Sequence, residues 1–204
     1  MPLSFWLFLI TIIVATILAI ASAVVEQKKY KLSFTIEELM DFEKKVKDFR
    51  LENNFTYSDT IDSMIEKMGI DVELALTSDL PKGKEAVLDG KLMKVNKKIG
   101  YQQRTFDMAH EIAHRVLGDD GVVARDFHSF RSRSTQEQAC DYVAAALLLP
   151  YDEVKEYISE CNFFDLSSQQ KMRHVNILAI RKNIYEEVVI RRMYEVKTLM
   201  DVSK

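Results

Sequence analysis

Two histidines and a glutamate stand together in the segment His110–Glu111–Ile112–Ala113–His114. Its neighbours are mostly apolar, and Gly118 follows, which predicts a largely apolar helix that ends near this glycine. Residues four apart lie on one face of a helix, so both imidazoles can bind one metal ion. Glu111 lies about 60° from His114 around the helix axis, where its carboxylate can reach a water molecule beside the metal. This is the arrangement of a zinc hydrolase with Glu111 as catalytic residue.

A catalytic zinc usually takes three protein ligands, so a further ligand must lie elsewhere in the chain. The metzincin spacing, which needs Gly and His three and six residues after the second histidine, is absent. A second apolar helix is predicted from Glu137 to Pro150, because proline ends it. Glu137 can complete a site of two His and one Glu. Asp141 lies one turn further along the same face and can accept the remaining ring N–H of a ligand histidine.

Each residue of this second helix also has a structural interpretation. Glu137 fits a capping box in which Ser134 is the N-cap residue. Asp141 could be a surface charge on a half-buried helix, and Cys140 is interpreted as a small buried residue rather than a ligand. A histidine pair in an apolar helix needs a third metal ligand, and this need favours Glu137 as that ligand.

The two segments together resemble the ImmA/IrrE metallopeptidases. The first runs from Phe106 to His114, and the second begins at Glu137, passes through an alanine-rich stretch and ends in Leu-Leu-x-Pro at Pro150. The resemblance covers roughly residues 55–200. It implies a gluzincin-like zinc peptidase with His110, His114 and Glu137 as ligands and Glu111 as base. It also implies a role of that family, which is the cleavage of helix-turn-helix repressors.

An uncharged apolar run from Ser4 to Val25 predicts a transmembrane helix, because about 20 such residues span a bilayer. Three lysines follow between positions 28 and 31, so the positive-inside rule predicts a cell-membrane protein with its catalytic domain in the cytoplasm. A cleaved signal peptide is the alternative, since Ala21–Ser22–Ala23 resembles a cleavage site. The absence of Lys or Arg before the run, and its length, favour the anchor.

The composition of the chain excludes several classes of protein. A net charge of −3 over 204 residues does not indicate the basic surface that nucleic-acid binding needs, so no direct nucleic-acid partner is expected. The two cysteines stand at unrelated positions, which indicates neither a disulfide framework nor a four-cysteine zinc site. This usage agrees with a reducing cytoplasm.

The remaining pattern predicts an α+β chain, mainly helical, with a small antiparallel sheet and one preceding transmembrane helix. The predicted divisions are an anchor over 1–27, a juxtamembrane helix over 28–54 and a metallopeptidase domain over 55–204, with C-terminal helices over about 165–204. Asp89–Gly90 predicts a two-residue hairpin turn, and an alternating strand precedes it at Val72–Leu76. Helices are predicted over about Thr35–Leu51, Ser58–Met68, Gln103–Gly118, Tyr151–Glu160, Ser168–Ile180 and Tyr185–Met200.

These features predict a membrane-anchored zinc endopeptidase whose partner is a cytoplasmic regulator such as a helix-turn-helix repressor. A substrate segment is expected to add as a strand near Leu92–Val95, which would place its carbonyl over the metal. Tyr101, His128 and His174 are candidate oxyanion donors, and the sequence does not choose among them.

Three other functions are compatible with parts of this pattern. The first is a metal-binding sensor or interaction module with little turnover, against which Glu111 argues because a purely structural site has no use for that carboxylate. The second is a membrane quality-control protease. The third is a membrane-tethered DNA-binding regulator, which the balance of Arg191 and Arg192 by nearby glutamates disfavours.

Overall fold

The computed structural model describes residues 34–118 and 135–202, and helices make up most of these residues. The helices are α1 (Ile36–Glu52), α2 (Ile61–Lys67), α3 (Tyr101–Val116), α4 (Thr135–Leu148), α5 (Tyr151–Cys161), α6 (Ser168–Lys182) and α7 (Glu186–Val202). The strands are β1 (Asp71–Ala75), β2 (Ala86–Asp89) and β3 (Leu92–Asn96). The predicted α+β class is confirmed.

The predicted anchor Ser4–Val25, the candidate His128 and the predicted N-cap residue Ser134 lie outside the described residues. Within 34–118 and 135–202, no helix has the length and apolar character needed to cross a membrane.

The helix starts follow local capping chemistry. Thr35 caps α1 through the predicted capping box, in which its hydroxyl accepts from Glu38 N at 3.2 Å and Glu38 accepts from Thr35 N at 2.7 Å. The second helix begins at Ile61, later than predicted, because the side chain of Thr60 caps it.

The sheet is mixed, so the prediction of an antiparallel sheet was wrong. The hairpin at Asp89–Gly90 forms as predicted, and β2 and β3 pair antiparallel. β1, however, pairs parallel with β3, and the strand order is β1–β3–β2. Alternating apolar residues identify a strand but not its neighbour or direction, and here the hairpin brings its second strand between the other two.

The central position of β3 also contradicts the expected docking of a substrate strand at Leu92–Val95. Both edges of β3 are occupied by neighbouring strands, so its backbone has no free edge. The edge strands of this sheet are β1 and β2. Met93 and Val95 of β3 are fully buried, and β2 and β3 both pack on α3.

The two helices that carry the candidate site form the most extensive helix interface of the described residues. Both helices carry small buried side chains. Ala109 and Ala113 of α3 are fully buried, as are Ala144 and Ala146 of α4. Close-packed small residues let the two backbones approach, which brings the longer polar side chains of α3 and α4 within reach of one another.

Helix α1 packs on the same unit as the site. Leu39 and Val46 of its apolar seam are buried, and α1 contacts α4 and α7. Glu43 accepts two hydrogen bonds from the buried Arg192 guanidinium, at 2.6 and 2.9 Å, and a third from the Tyr142 hydroxyl. This bidentate pair links α1 to α7, and removing either partner would leave an uncompensated buried charge.

Candidate metal centre

Helix α3 places the three polar residues of the central motif in the interior of the protein. His110 is fully buried, and Glu111 and His114 are buried as well. From the facing helix α4, Glu137 and Asp141 are buried beside them. Buried charged and polar groups cost free energy unless they are paired or bind a metal, so this cluster must be mutually satisfied or bind an ion.

His110 lies between the two carboxylates of α4. Its Nδ1 is 2.9 Å from Oδ1 of Asp141, and its Nε2 is 3.1 Å from Oε2 of Glu137. An ionised carboxylate only accepts, so without a metal ion both contacts are satisfied when the imidazole is protonated and donates from Nδ1 and from Nε2. A metal ion bound to Nε2 would replace the proton that faces Glu137 and leave the Nδ1 proton donated to Asp141, as in a metal-ligating histidine held by an outer carboxylate.

His114 lies on the other side of Glu137. Its Nε2 is 3.9 Å from Oε1 of Glu137. Ligand atoms about 2.0–2.1 Å from a tetrahedral zinc ion lie roughly 3.3 Å from one another. The separations of 3.1 Å (Oε2 to His110) and 3.9 Å (Oε1 to His114) are near this value, so the Glu137 carboxylate lies within reach of an ion bound to Nε2 of either histidine.

A second candidate set includes a cysteine that the sequence analysis interpreted only as a small buried residue. His110, His114 and Cys140 each offer one ligand atom within 4.8 Å of the others. The thiol of Cys140 lies 3.4 Å from Nδ1 of His114, the ring nitrogen opposite the one that faces Glu137. The two nitrogens of an imidazole point in different directions, so one ion cannot use the Glu137 side and the Cys140 side of His114 together.

The electrostatics of the cluster favour a cation. Burial lowers the pKa of His110, but its hydrogen bonds with Asp141 and Glu137 outweigh burial and raise that pKa to about 9. Burial raises the pKa of Glu137, and interaction with both histidines lowers it below its ordinary value. The negative charge of Asp141 and Glu137 that stabilises a protonated imidazole would also attract a metal cation, which would displace the proton from the ligating nitrogen. The donor set and its charge therefore fit Zn²⁺.

The Glu111 carboxylate contacts the sheet. Its Oε2 accepts a hydrogen bond from Leu88 N of β2 at 3.2 Å. Burial raises the pKa of Glu111, and attraction to His110 and Lys84 opposes this rise. A carboxylate whose pKa is raised accepts and returns a proton more readily near neutral pH, which suits a general base.

Residues 65–162 match the family model Peptidase_M78, the IrrE N-terminal-like domain. The match includes the sheet, α3 and α4, so it covers both segments on which the resemblance depends. At the level of the family it supports a metal-dependent peptidase domain. The prediction of an ImmA/IrrE-like domain is confirmed for these residues.

A solved structure of a Mycobacterium tuberculosis transcriptional regulator is also similar, at 20% sequence identity and a TM-score of 0.47. The similarity covers 74% of this chain and 46% of that regulator, so the chain spans less than half of the regulator's length. No curated protein matches the chain.

One buried charged residue within 65–162 carried no signal in the sequence. Lys84, in the loop before β2, is 2% exposed, and its Nζ donates no hydrogen bond within the described parts of the chain. Burial lowers its pKa, while attraction to Glu111 and Glu137 opposes that effect. Lys84 is therefore a buried cation on the β2 side of the site.

The candidate oxyanion donors of the sequence analysis have other partners. The Tyr101 hydroxyl donates to Asp62 at 2.7 Å, and Tyr101 begins α3, nine residues or about 13 Å along the axis from His110. His174 pairs through Nδ1 with the Tyr157 hydroxyl at 2.8 Å. Neither residue is brought into the cluster of α3 and α4 that forms the candidate site.

Proposed function

We propose that this domain is a gluzincin-like zinc endopeptidase with His110, His114 and Glu137 as metal ligands. The observation that carries the proposal is the position of Glu137, whose two carboxylate oxygens lie 3.1 and 3.9 Å from Nε2 of the two histidines. Bound there, Zn²⁺ would supply a Lewis acid that polarises the scissile carbonyl and acidifies the attacking water. Asp141 orients His110 through its hydrogen bond to Nδ1.

Glu111 is the general base in this proposal. It accepts a proton from the attacking water while the water oxygen forms a bond with the carbonyl carbon. It then passes this proton to the leaving nitrogen as the C–N bond breaks, so the products are a carboxylate and an amine. The hydrogen bond from Leu88 N fixes the carboxylate at the edge of the sheet throughout.

Substrate is proposed to dock along the outer edge of β2, which has no neighbouring strand among residues 34–118 and 135–202, in place of the β3 edge predicted from the sequence. Leu88 is opposite Met93 in the antiparallel pair, and its N–H bonds to Glu111 rather than to β3. The backbone of β2 therefore presents hydrogen-bonding groups toward the site at this point. An extended peptide added along β2 would pass beside Glu111, and backbone pairing would bind it with little dependence on sequence.

The proposed natural substrate is a cytoplasmic regulator of the helix-turn-helix repressor class. The resemblance to the ImmA/IrrE peptidases and the family match over residues 65–162 support this class of substrate. Co-expression of the chain with a repressor encoded beside its gene is expected to yield one or a few discrete repressor fragments. Immunoblotting measures them, and the matched control is Glu111→Gln, which should yield none. Degradation of only denatured or extracytoplasmic proteins would instead indicate a quality-control protease.

The apolar segment Ser4–Val25 is proposed as a single membrane anchor with the catalytic domain on the cytoplasmic side. A cysteine added after Lys204 should resist a membrane-impermeant maleimide in intact cells and react after lysis. Labelling in intact cells, or a mature N-terminus that begins after Ala23, would contradict this topology.

A metal-binding module with little turnover is the second candidate, and the position of Cys140 supports it. A site built from His110, His114 and Cys140 uses a thiolate ligand, which is common in structural zinc sites. The two candidates differ in their third ligand, so exchanging Glu137 and Cys140 separately distinguishes them.

A further inference from the structure

Lys84 is a buried ammonium group to which the proposed function gives no role so far. The side chain is 2% exposed, and across residues 34–118 and 135–202 its Nζ has neither a hydrogen bond nor an ion pair. Taking an ammonium group out of water without a partner costs free energy. Stability therefore does not explain a lysine at this position.

The backbone around Lys84 is fixed. Lys84 N donates to Pro81 O at 3.0 Å, which closes a turn in the loop before β2. The next residue, Glu85, accepts from Asn96 N at 2.8 Å and so extends the pairing of β2 with β3. The lysine thus stands at the beginning of the edge strand whose Leu88 holds the proposed base Glu111.

Two carboxylates of the candidate centre attract the Lys84 ammonium group. Attraction to Glu111 and Glu137 raises the pKa of Lys84, although burial has the larger, opposite effect. Glu111, the proposed base, and Glu137, the proposed third ligand, therefore both attract Nζ, yet neither forms an ion pair with it. Because Lys84 leads into β2, whose Leu88 N–H binds Glu111, its buried ammonium group lies on the β2 side of the candidate centre.

Only a few kinds of group could be the missing partner of the Lys84 ammonium group. A cation is repelled by an ammonium group, so Lys84 cannot be a further metal ligand. The buried ammonium group needs a hydrogen-bond acceptor, and the proposed reaction brings one to this site. That acceptor is the scissile carbonyl, whose oxygen gains negative charge as water adds to the carbon.

We propose that Lys84 donates a hydrogen bond to the oxygen of the scissile carbonyl and stabilises the oxyanion of the transition state. This inference rests on the proposed peptidase function and assigns the oxyanion donor that the function requires. The proton stays on Nζ, and no bond to Lys84 forms or breaks. When the C–N bond of the substrate breaks, the oxygen charge is delocalised in the product carboxylate.

The test compares Lys84→Met with wild type in the full chain, loaded with zinc and assayed on a pool of synthetic peptides of random sequence. One peptide that wild type cleaves is then used for kinetics. Loss of an oxyanion donor is expected to lower kcat by about 100- to 1,000-fold, with KM and zinc content little changed. Lys84→Arg should recover part of the rate. Lys82→Met, in the same loop but exposed, is the matched control and should leave kcat unchanged.

Thermal unfolding separates this role from a structural one. Methionine fills a similar volume without an unpaired charge, so the melting temperature of Lys84→Met should stay the same or rise. A lower melting temperature with kcat within about three-fold of wild type would show a structural residue and overturn the inference. Lys84→Gln provides a second neutral variant if the methionine variant does not fold. If zinc-loaded wild type cleaves no peptide, the proposed function itself fails, which is a different result.

Discussion

Replacing Glu111 by Gln is expected to lower peptide hydrolysis by about 100- to 10,000-fold while the protein keeps its fold and one zinc ion per chain. The amide can still accept the hydrogen bond from Leu88 N through its oxygen, so β2 and α3 stay joined. It cannot take up a proton from water, so the step assigned to the base is lost. The kinetics of cleavage of a single peptide, together with metal analysis, measure both properties.

The control for this variant is Glu66→Gln, which makes the same chemical change at an exposed position of α2. It should cleave at the rate of wild type. Activity of Glu111→Gln within a few-fold of wild type would exclude Glu111 as the base, whatever the metal content. Loss of zinc together with activity would mean that Glu111 contributes to binding of the ion, in conflict with its orientation toward β2.

Replacing Glu137 by Ala is expected to abolish tight zinc binding, because it removes the carboxylate that reaches both histidines. Replacing a residue that only hydrogen-bonds to a metal ligand typically weakens metal affinity by about 10- to 100-fold. Loss of a direct ligand should weaken the affinity further. Metal analysis after gel filtration and a competition titration with a chelator measure the loss.

Cys140→Ser is the matched variant for this experiment, since it removes the alternative candidate for the third metal ligand, which lies on the same helix. Its zinc affinity should stay close to that of wild type, because Nδ1 of His114 would not be a metal ligand in the proposed site. The reverse result, with zinc lost from Cys140→Ser and kept by Glu137→Ala, would establish the thiolate set. It would then favour the metal-binding module over the peptidase.

The clustering of the candidate residues depends on helical periodicity, which the sequence displays. His110 and His114 are four residues apart, as are Glu137 and Asp141, and each pair faces one side of a helix with 3.6 residues per turn. The structure brings the two pairs together, with His110 between Glu137 and Asp141. The resemblance to known peptidases indicated which helices meet, which periodicity alone does not provide.

The features that the sequence did not predict depend on tertiary contacts. The parallel pairing of β1 with β3 follows from the path of the connection and leaves no trace in alternating residues. Lys84 stands in a short loop with another lysine, a glycine and a proline, a composition typical of an exposed turn. The contact of Cys140 with His114 likewise depends on how α3 and α4 meet.

Titration of the metal-free protein with zinc, with peptide cleavage followed at each addition, tests the central proposal most directly. Chelator-treated protein should be inactive, and cleavage should rise in proportion to added zinc and level off at about one ion per chain. Glu111→Gln should bind the same amount of zinc without cleaving the peptide. Cleavage by the metal-free protein, or full zinc binding by wild type with no cleavage of any peptide in the pool, would contradict the assignment of this domain as a zinc endopeptidase.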